Sequence, residues 1–257
     1  MLKVQSSVLK YPGIKYRNNI EHRINESDAQ WNLDDKQFLS TTNNDLSYMI
    51  LYESNVETDH IDDIVENFEK QLSLRRVGSP RLEGKFSIRT DSTGLRNRLQ
   101  QAQMKDVDLL ILMSQDTYSN FKYLADKVFG IPTIVMVTDS NFKSGNGNRQ
   151  WNRGGLDQYI GNIMMKANPK TGGINHMAIS KHGDIEKWLS KTLVLGADVT
   201  HPSNGAPSGC TSVAAVVSSV ENTGGRFLGS LALQSEGGKE VSPITTTQLS
   251  APSDRHR

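Results

Sequence analysis

Apolar positions along this chain follow two different periods, and the pattern changes near residue 185. Leu46-Ser47-Tyr48-Met49-Ile50-Leu51-Tyr52 predicts a first core strand. Residues 59–75 predict a helix, because Ile61, Ile64, Val65, Phe68 and Leu72 fall at three- and four-residue steps. Acidic residues crowd the start of that segment and Lys70, Arg75 and Arg76 its end, as the helix dipole favours. Gly78-Ser79-Pro80 is read as its stop, with a short strand around Phe86-Ser87-Ile88 and an amphipathic helix over residues 94–104. Residues 107–113 are apolar except for Asp108 and predict a buried parallel strand. A helix over residues 118–129, Gly130, and the apolar run of residues 131–137 complete a strand-helix-strand unit. Residues 154–166 predict the next helix. Between these last two elements, residues 138–153 are rich in Asn, Gly and Ser and read as a mobile loop.

Beyond a connector at residues 182–190 the helical period disappears. Residues 193–199, 211–220 and 226–234 predict three strands separated by glycine turns, a β-meander. The fold class expected is α/β: a doubly wound, Rossmann-like region with a central parallel sheet, followed by the meander. Residues 1–40 read as an arm or linker, with Met1 to Leu9 extended, Tyr11-Pro12-Gly13 a turn and Trp31 its one large apolar anchor. Residues 241–257, rich in Ser, Thr and Pro, read as a disordered tail.

Composition narrows the function. The 257 residues carry a net charge of +1, so nucleic acid would have to bind at a focused site and not through bulk charge. A single cysteine, Cys210, excludes an internal disulfide and a cysteine-rich zinc site. Neither a membrane-length apolar run nor a secretory leader is visible, so the default expectation is a cytoplasmic protein without a membrane partner.

Candidate chemistry lies on the two helices that flank the residue 131–137 strand. Tyr118 and Lys122 are four apart and share a helix face; Asn162, Lys166 and Lys170 repeat that spacing. Two cationic edges could converge on one small anion, with the Tyr118 ring free to stack on a base. Taken singly, each pair is an ordinary solvated helix face or a pair of dipole-favoured lysines.

Three blocks together carry more. They are Tyr118-x-x-x-Lys122 with Val128-Phe129-Gly130-Ile131-Pro132-Thr133; Lys166-x-x-x-Lys170-x-Gly172-Gly173-Ile174-Asn175; and Gly196-Ala197-Asp198-Val199-Thr200-His201-Pro202 followed by Ser212-Val213-Ala214-Ala215-Val216-Val217. In order and spacing they resemble a eukaryotic, fungal-like Argonaute over most of the chain. The resemblance implies a linker at residues 1–40, a MID domain at residues 41–185 and the N-terminal part of a PIWI domain at residues 186–240. It also implies a part in RNA silencing: the MID pocket holds the 5′-monophosphate of a small guide RNA. Carried over by position, Tyr118 stacks on the first base, Lys122, Lys166 and Lys170 face the phosphate, and Asn162 touches the backbone nearby. Residues 138–149 would sense the first base. Where animal members follow the threonine with Gln-Cys, this chain has Ile134-Val135, which leaves Thr133 as the replacement polar contact.

Family members that cut RNA use acidic residues around two divalent metals, Mg2+ in the usual case. Asp198 matches the first catalytic and metal-binding carboxylate and Glu240 is a looser match to a second. The remaining Asp and His would lie beyond Arg257. Two carboxylates cannot build a two-metal site, so the expectation is guide binding without cleavage by this chain and without a cofactor for the MID site. The alternative is a part of a Mg2+-dependent endoribonuclease. Target RNA and silencing-complex proteins are the further partners implied.

Overall fold

The computed structural model describes residues 11–22, 24, 32–41, 45–54, 56, 58–88, 92–114, 118–136, 153–180, 183–207 and 209–234. The expected arm at residues 1–9, Trp31, the residue 138–149 loop, Glu240 and the residue 241–257 tail lie outside these. The chain forms two units, Lys15–His176 on one side and Met1–Ile14 with Met177–Arg257 on the other.

Two short strands, β1 (Gly13–Lys15) and β2 (Glu21–His22), come first. The turn expected at Tyr11-Pro12-Gly13 is instead the entry to β1. A Cβ on Gly13 would stand 3.1 Å from Ile179 Cγ1, so the glycine serves close approach and not chain reversal.

The unit Lys15–His176 is built on four parallel strands in the order β4-β3-β5-β6. These are β3 (Asp45–Glu53), β4 (Ser79–Ile88), β5 (Leu109–Met113) and β6 (Thr133–Met136). Alternation along β3 sorts its side chains between two cores. Tyr48 and Ile50 meet α1 (Thr58–Arg75) and α4 (Arg153–Lys170), together with Phe68, Ile111 and Ile160. Met49 and Leu51 meet α2 (Ser92–Met104) and α3 (Tyr118–Lys122), together with Leu99, Leu110 and Phe121. All five residues of β5 are buried, as a central strand covered on both faces requires. Asp108, the polar break before it, ties β5 to β3, since its Oδ2 accepts from the Ser47 amide and hydroxyl, both at 2.9 Å.

Three elements depart from the sequence-based expectation. β4 begins at Ser79, where the sequence suggests a helix stop and a gap, and runs for 10 residues. It is an edge strand, so Pro80 is tolerated and Arg81, Glu83 and Lys85 mask the strand signal. α4 does not end at Lys166 but continues through Pro169 to Lys170. Proline cannot donate to the carbonyl four residues back, that of Met165; the Asn175 side-chain amide donates to it instead, at 2.7 Å. Third, α3 gives way to a π-helical segment, Tyr123–Phe129, closed by Gly130 at φ +68°.

In the other unit β7 (Met177–Ile179) precedes the connector expected at residues 182–190, and that connector holds a short helix, α5 (Asp184–Leu189). The meander is present as β8 (Leu195–Thr200), β9 (Ser212–Ser219) and β10 (Phe227–Gln234), antiparallel with β9 in the middle. Leu195, Leu231 and Leu233 on it are exposed. Among the described residues no helix is long and apolar enough to cross a membrane.

Candidate functional site

Burial of Phe121, Leu124 and Ala125 under the sheet fixes the roll of α3 and its π continuation. That roll leaves Tyr118 exposed at the helix start and turns Lys122 toward the first residue of β6. The Lys122 side chain is only 23% exposed. Its ammonium donates to Asp126 Oδ2 at 3.0 Å and also to the Thr133 hydroxyl. Thr133, fully buried, in turn donates to Asp126 Oδ1 at 2.7 Å. The Thr133 hydroxyl proton is therefore committed to Asp126, and this residue reaches any ligand through Lys122 and not directly.

α4 supplies the facing cations. Lys170 stands at its last residue and Lys166 one turn before, both exposed. The Lys170 ammonium is held below its ordinary pKa, first by partial burial and then by the Lys122 charge, with Lys166 adding to the effect and Asp126 opposing it. Lys122 from α3 and Lys166 from α4 thus both bear on the Lys170 charge.

The turn after α4 is built to keep Lys170 there. Gly173 donates to the Asn168 carbonyl at 2.8 Å, and Gly172 adopts φ +93°, a left-handed turn that favours glycine. Asn168 is buried and its amide donates to the Ser40 carbonyl at 3.1 Å and to Asn175 Oδ1 at 2.9 Å. A Cβ on Gly173 would overlap Asn168 Oδ1, so only glycine fits. The Asn-Pro-Lys-Thr-Gly-Gly-Ile-Asn run is thus one structural unit that carries a cation.

Asn162 is placed differently. It shares the Lys166–Lys170 stripe but lines an open groove of about 980 Å³ with Lys70, Gln71, Arg75 and Asp157. It lies about 12 Å along the helix axis from Lys170, at a rise of 1.5 Å per residue. The groove wall contains a residue whose role sequence reasoning missed. Arg75, in sequence a dipole-favoured helix end, is buried and donates to the carbonyls of Leu33 and Lys36, the latter at 2.9 Å, and to Gln71 at 3.0 Å. It pins residues 33–36 to α1. Asp126 escapes sequence reasoning as well; its spacing of four from Lys122 was the available signal.

The Piwi domain family matches residues 109–248, more than half of the sequence and including Lys122, Lys166 and Lys170. The chain belongs to the Piwi-domain family. The argonaute protein of Schizosaccharomyces pombe is 24% identical over 243 residues, which cover 88% of this chain and 27% of that protein. The chain thus spans under a third of the length of this curated relative. The crystal structure of Kluyveromyces polysporus Argonaute with a guide RNA superposes with a TM-score of 0.67 at 24% identity, over 91% of this chain and 30% of that one. Drosophila Piwi gives a TM-score of 0.70 at 14% identity, over 88% and 30%. These likenesses support the α/β and β-meander architecture of this Piwi-domain chain.

Asp198, matched by resemblance to a catalytic carboxylate, is exposed on β8. Its neighbour across the sheet is Ala215, which pairs on its other side with Leu231. His201 Nδ1 is 2.8 Å from the Ser212 hydroxyl. Among the described residues no group of three acidic, His or Cys side chains could hold a metal ion. Glu240, the second carboxylate implied by the resemblance, lies outside the described residues, so the structure places only Asp198 of that pair.

Proposed function

We propose that this chain grips the 5′-monophosphate end of a small guide RNA with Lys122, Lys166 and Lys170, and that Tyr118 provides the platform for its first base. The reading rests on the Lys122 ammonium, held in place by Asp126 and the Thr133 hydroxyl, and on Lys170 at the end of α4, whose proton affinity the Lys122 charge lowers. Like charges brought to bear on Lys170 make a poor resting arrangement and a good receptor for a dianion. A phosphate monoester carries close to two negative charges near neutral pH, so it relieves that repulsion, and a 5′-hydroxyl cannot. Stacking on the exposed Tyr118 ring adds about 1–3 kcal/mol whatever the base. Asn162, on the same stripe but two turns away, suits a contact farther along the guide backbone. The K. polysporus protein whose fold this chain shares was crystallised with a guide RNA, which favours the same ligand class.

Calorimetric titration with adenosine 5′-monophosphate and with adenosine tests the reading. Saturable binding of the monophosphate, with adenosine at least about tenfold weaker, is expected from loss of one charge-assisted contact set. Equal binding of the two, or none of either at millimolar concentration, would remove the proposal.

A further inference from the structure

A site that takes an anion holds a carboxylate at its centre. Asp126 lies one turn after Lys122, and a helix pair at that spacing explains one of its two contacts, Oδ2 with the ammonium at 3.0 Å. The other is not explained by the helix. Oδ1 reaches across to β6 and accepts from the fully buried Thr133 hydroxyl at 2.7 Å. Thr133 accepts in turn from Lys122, so ammonium, carboxylate and hydroxyl close a ring of hydrogen bonds. The groups acting on Lys170 across this space are Lys122 and Asp126 from α3 and its π continuation and Lys166 from α4 itself, with the neutral Thr133 behind them on β6. Among the described residues Asp126 is the one anion acting on Lys170, and it opposes the lowering of proton affinity by burial and the other lysines.

We infer that Asp126 is the positioning residue of this site: bridged to the buried Thr133 hydroxyl, it clamps the Lys122 ammonium and serves as counter-ion to the lysine cluster until a phosphate arrives. The inference rests on the reading that the site takes a phosphate monoester. Its consequence is a pH range. With Asp126 in place the Lys170 ammonium stays charged, and the site competent, to a higher pH than it otherwise would.

The test uses the full chain, as wild type, Asp126→Asn and Thr133→Val. Lysine 13Cε shifts, followed against pH without ligand, read the Lys170 titration directly. Asp126→Asn should move its midpoint down by about one pH unit, the lower end of what a nearby opposite charge contributes. Adenosine 5′-monophosphate affinity, measured across the same range, should lose its alkaline limb over the same interval. Thr133→Val keeps the carboxylate and removes the bridge. It should leave the Lys170 midpoint in place and weaken the nucleotide about three- to tenfold at every pH, as loss of one hydrogen bond does. An unmoved Lys170 midpoint in folded Asp126→Asn overturns the counter-ion role. Should that variant not fold, unchanged nucleotide affinity in Thr133→Val overturns the clamp. A midpoint that moves as stated in a protein that binds no nucleotide keeps the counter-ion and defeats the phosphate reading alone.

Discussion

The two units treat their sheets in opposite ways. In Lys15–His176 the central strand β5 is buried along its whole length, between α1 and α4 on one face and α2 and α3 on the other. In the second unit the meander carries Leu195, Leu231 and Leu233 to the surface. The first arrangement locks helix roll, and locked helices can hold three like charges together. The second holds Asp198 on an exposed strand beside alanine and leucine, where neither cross-strand neighbour is polar.

The comparison can be broken most forcefully at Phe121. Phe121→Ala should cost about 3–5 kcal/mol and bring down the lysine site with it, since that ring sets the roll of α3. Leu231→Ser on the meander should stay within about 0.5 kcal/mol. Chemical denaturation followed by tryptophan fluorescence measures both; similar losses would erase the contrast. Next in size is Lys170→Met, which removes one of the facing cations. It should weaken adenosine 5′-monophosphate by about 2–5 kcal/mol in a calorimetric titration, because the partner charges stay behind. Asn175→Ala comes third. It leaves the Met165 carbonyl without its donor and should lower stability by about 1–3 kcal/mol, with a matching fall in nucleotide affinity as Lys170 loses its place.

The smallest effect is one of pH. The Lys170 ammonium has a lower pKa folded than its ordinary 10.5, so between those two values the unfolded chain binds more protons. Native stability should therefore rise with pH across that window. Lys170→Met should stabilise the ligand-free protein near neutral pH, and the advantage should shrink as pH rises through the folded pKa and be gone above 10.5. Thermal melts at several pH values check this, and a Lys170→Met protein less stable than wild type at pH 7 would contradict it.

Much of this was legible in the chain because buried strands write themselves plainly: Leu109 to Met113 could be little else. The lysines on α3 and α4 were readable from spacing together with resemblance. What stayed hidden depended on distant partners. The extension of α4 through Pro169 depends on a side chain ten residues from Met165. The first half of β4 is masked by its edge position, where charge alternates with partly buried residues. Arg75 and Asp126 look like ordinary helix charges until the segments they hold are in view. Thr133 reads as a ligand by its type, yet complete burial gives it a supporting part.

Asn168 reaches back to Ser40, across 128 residues, and Asn175 shares the same cluster. On a ribosome this bridge cannot close until residue 175 has cleared the exit tunnel. A growing chain can bring Lys122 and Asp126 together long before, yet the turn that follows Lys170 must wait for the late arrival of that second asparagine.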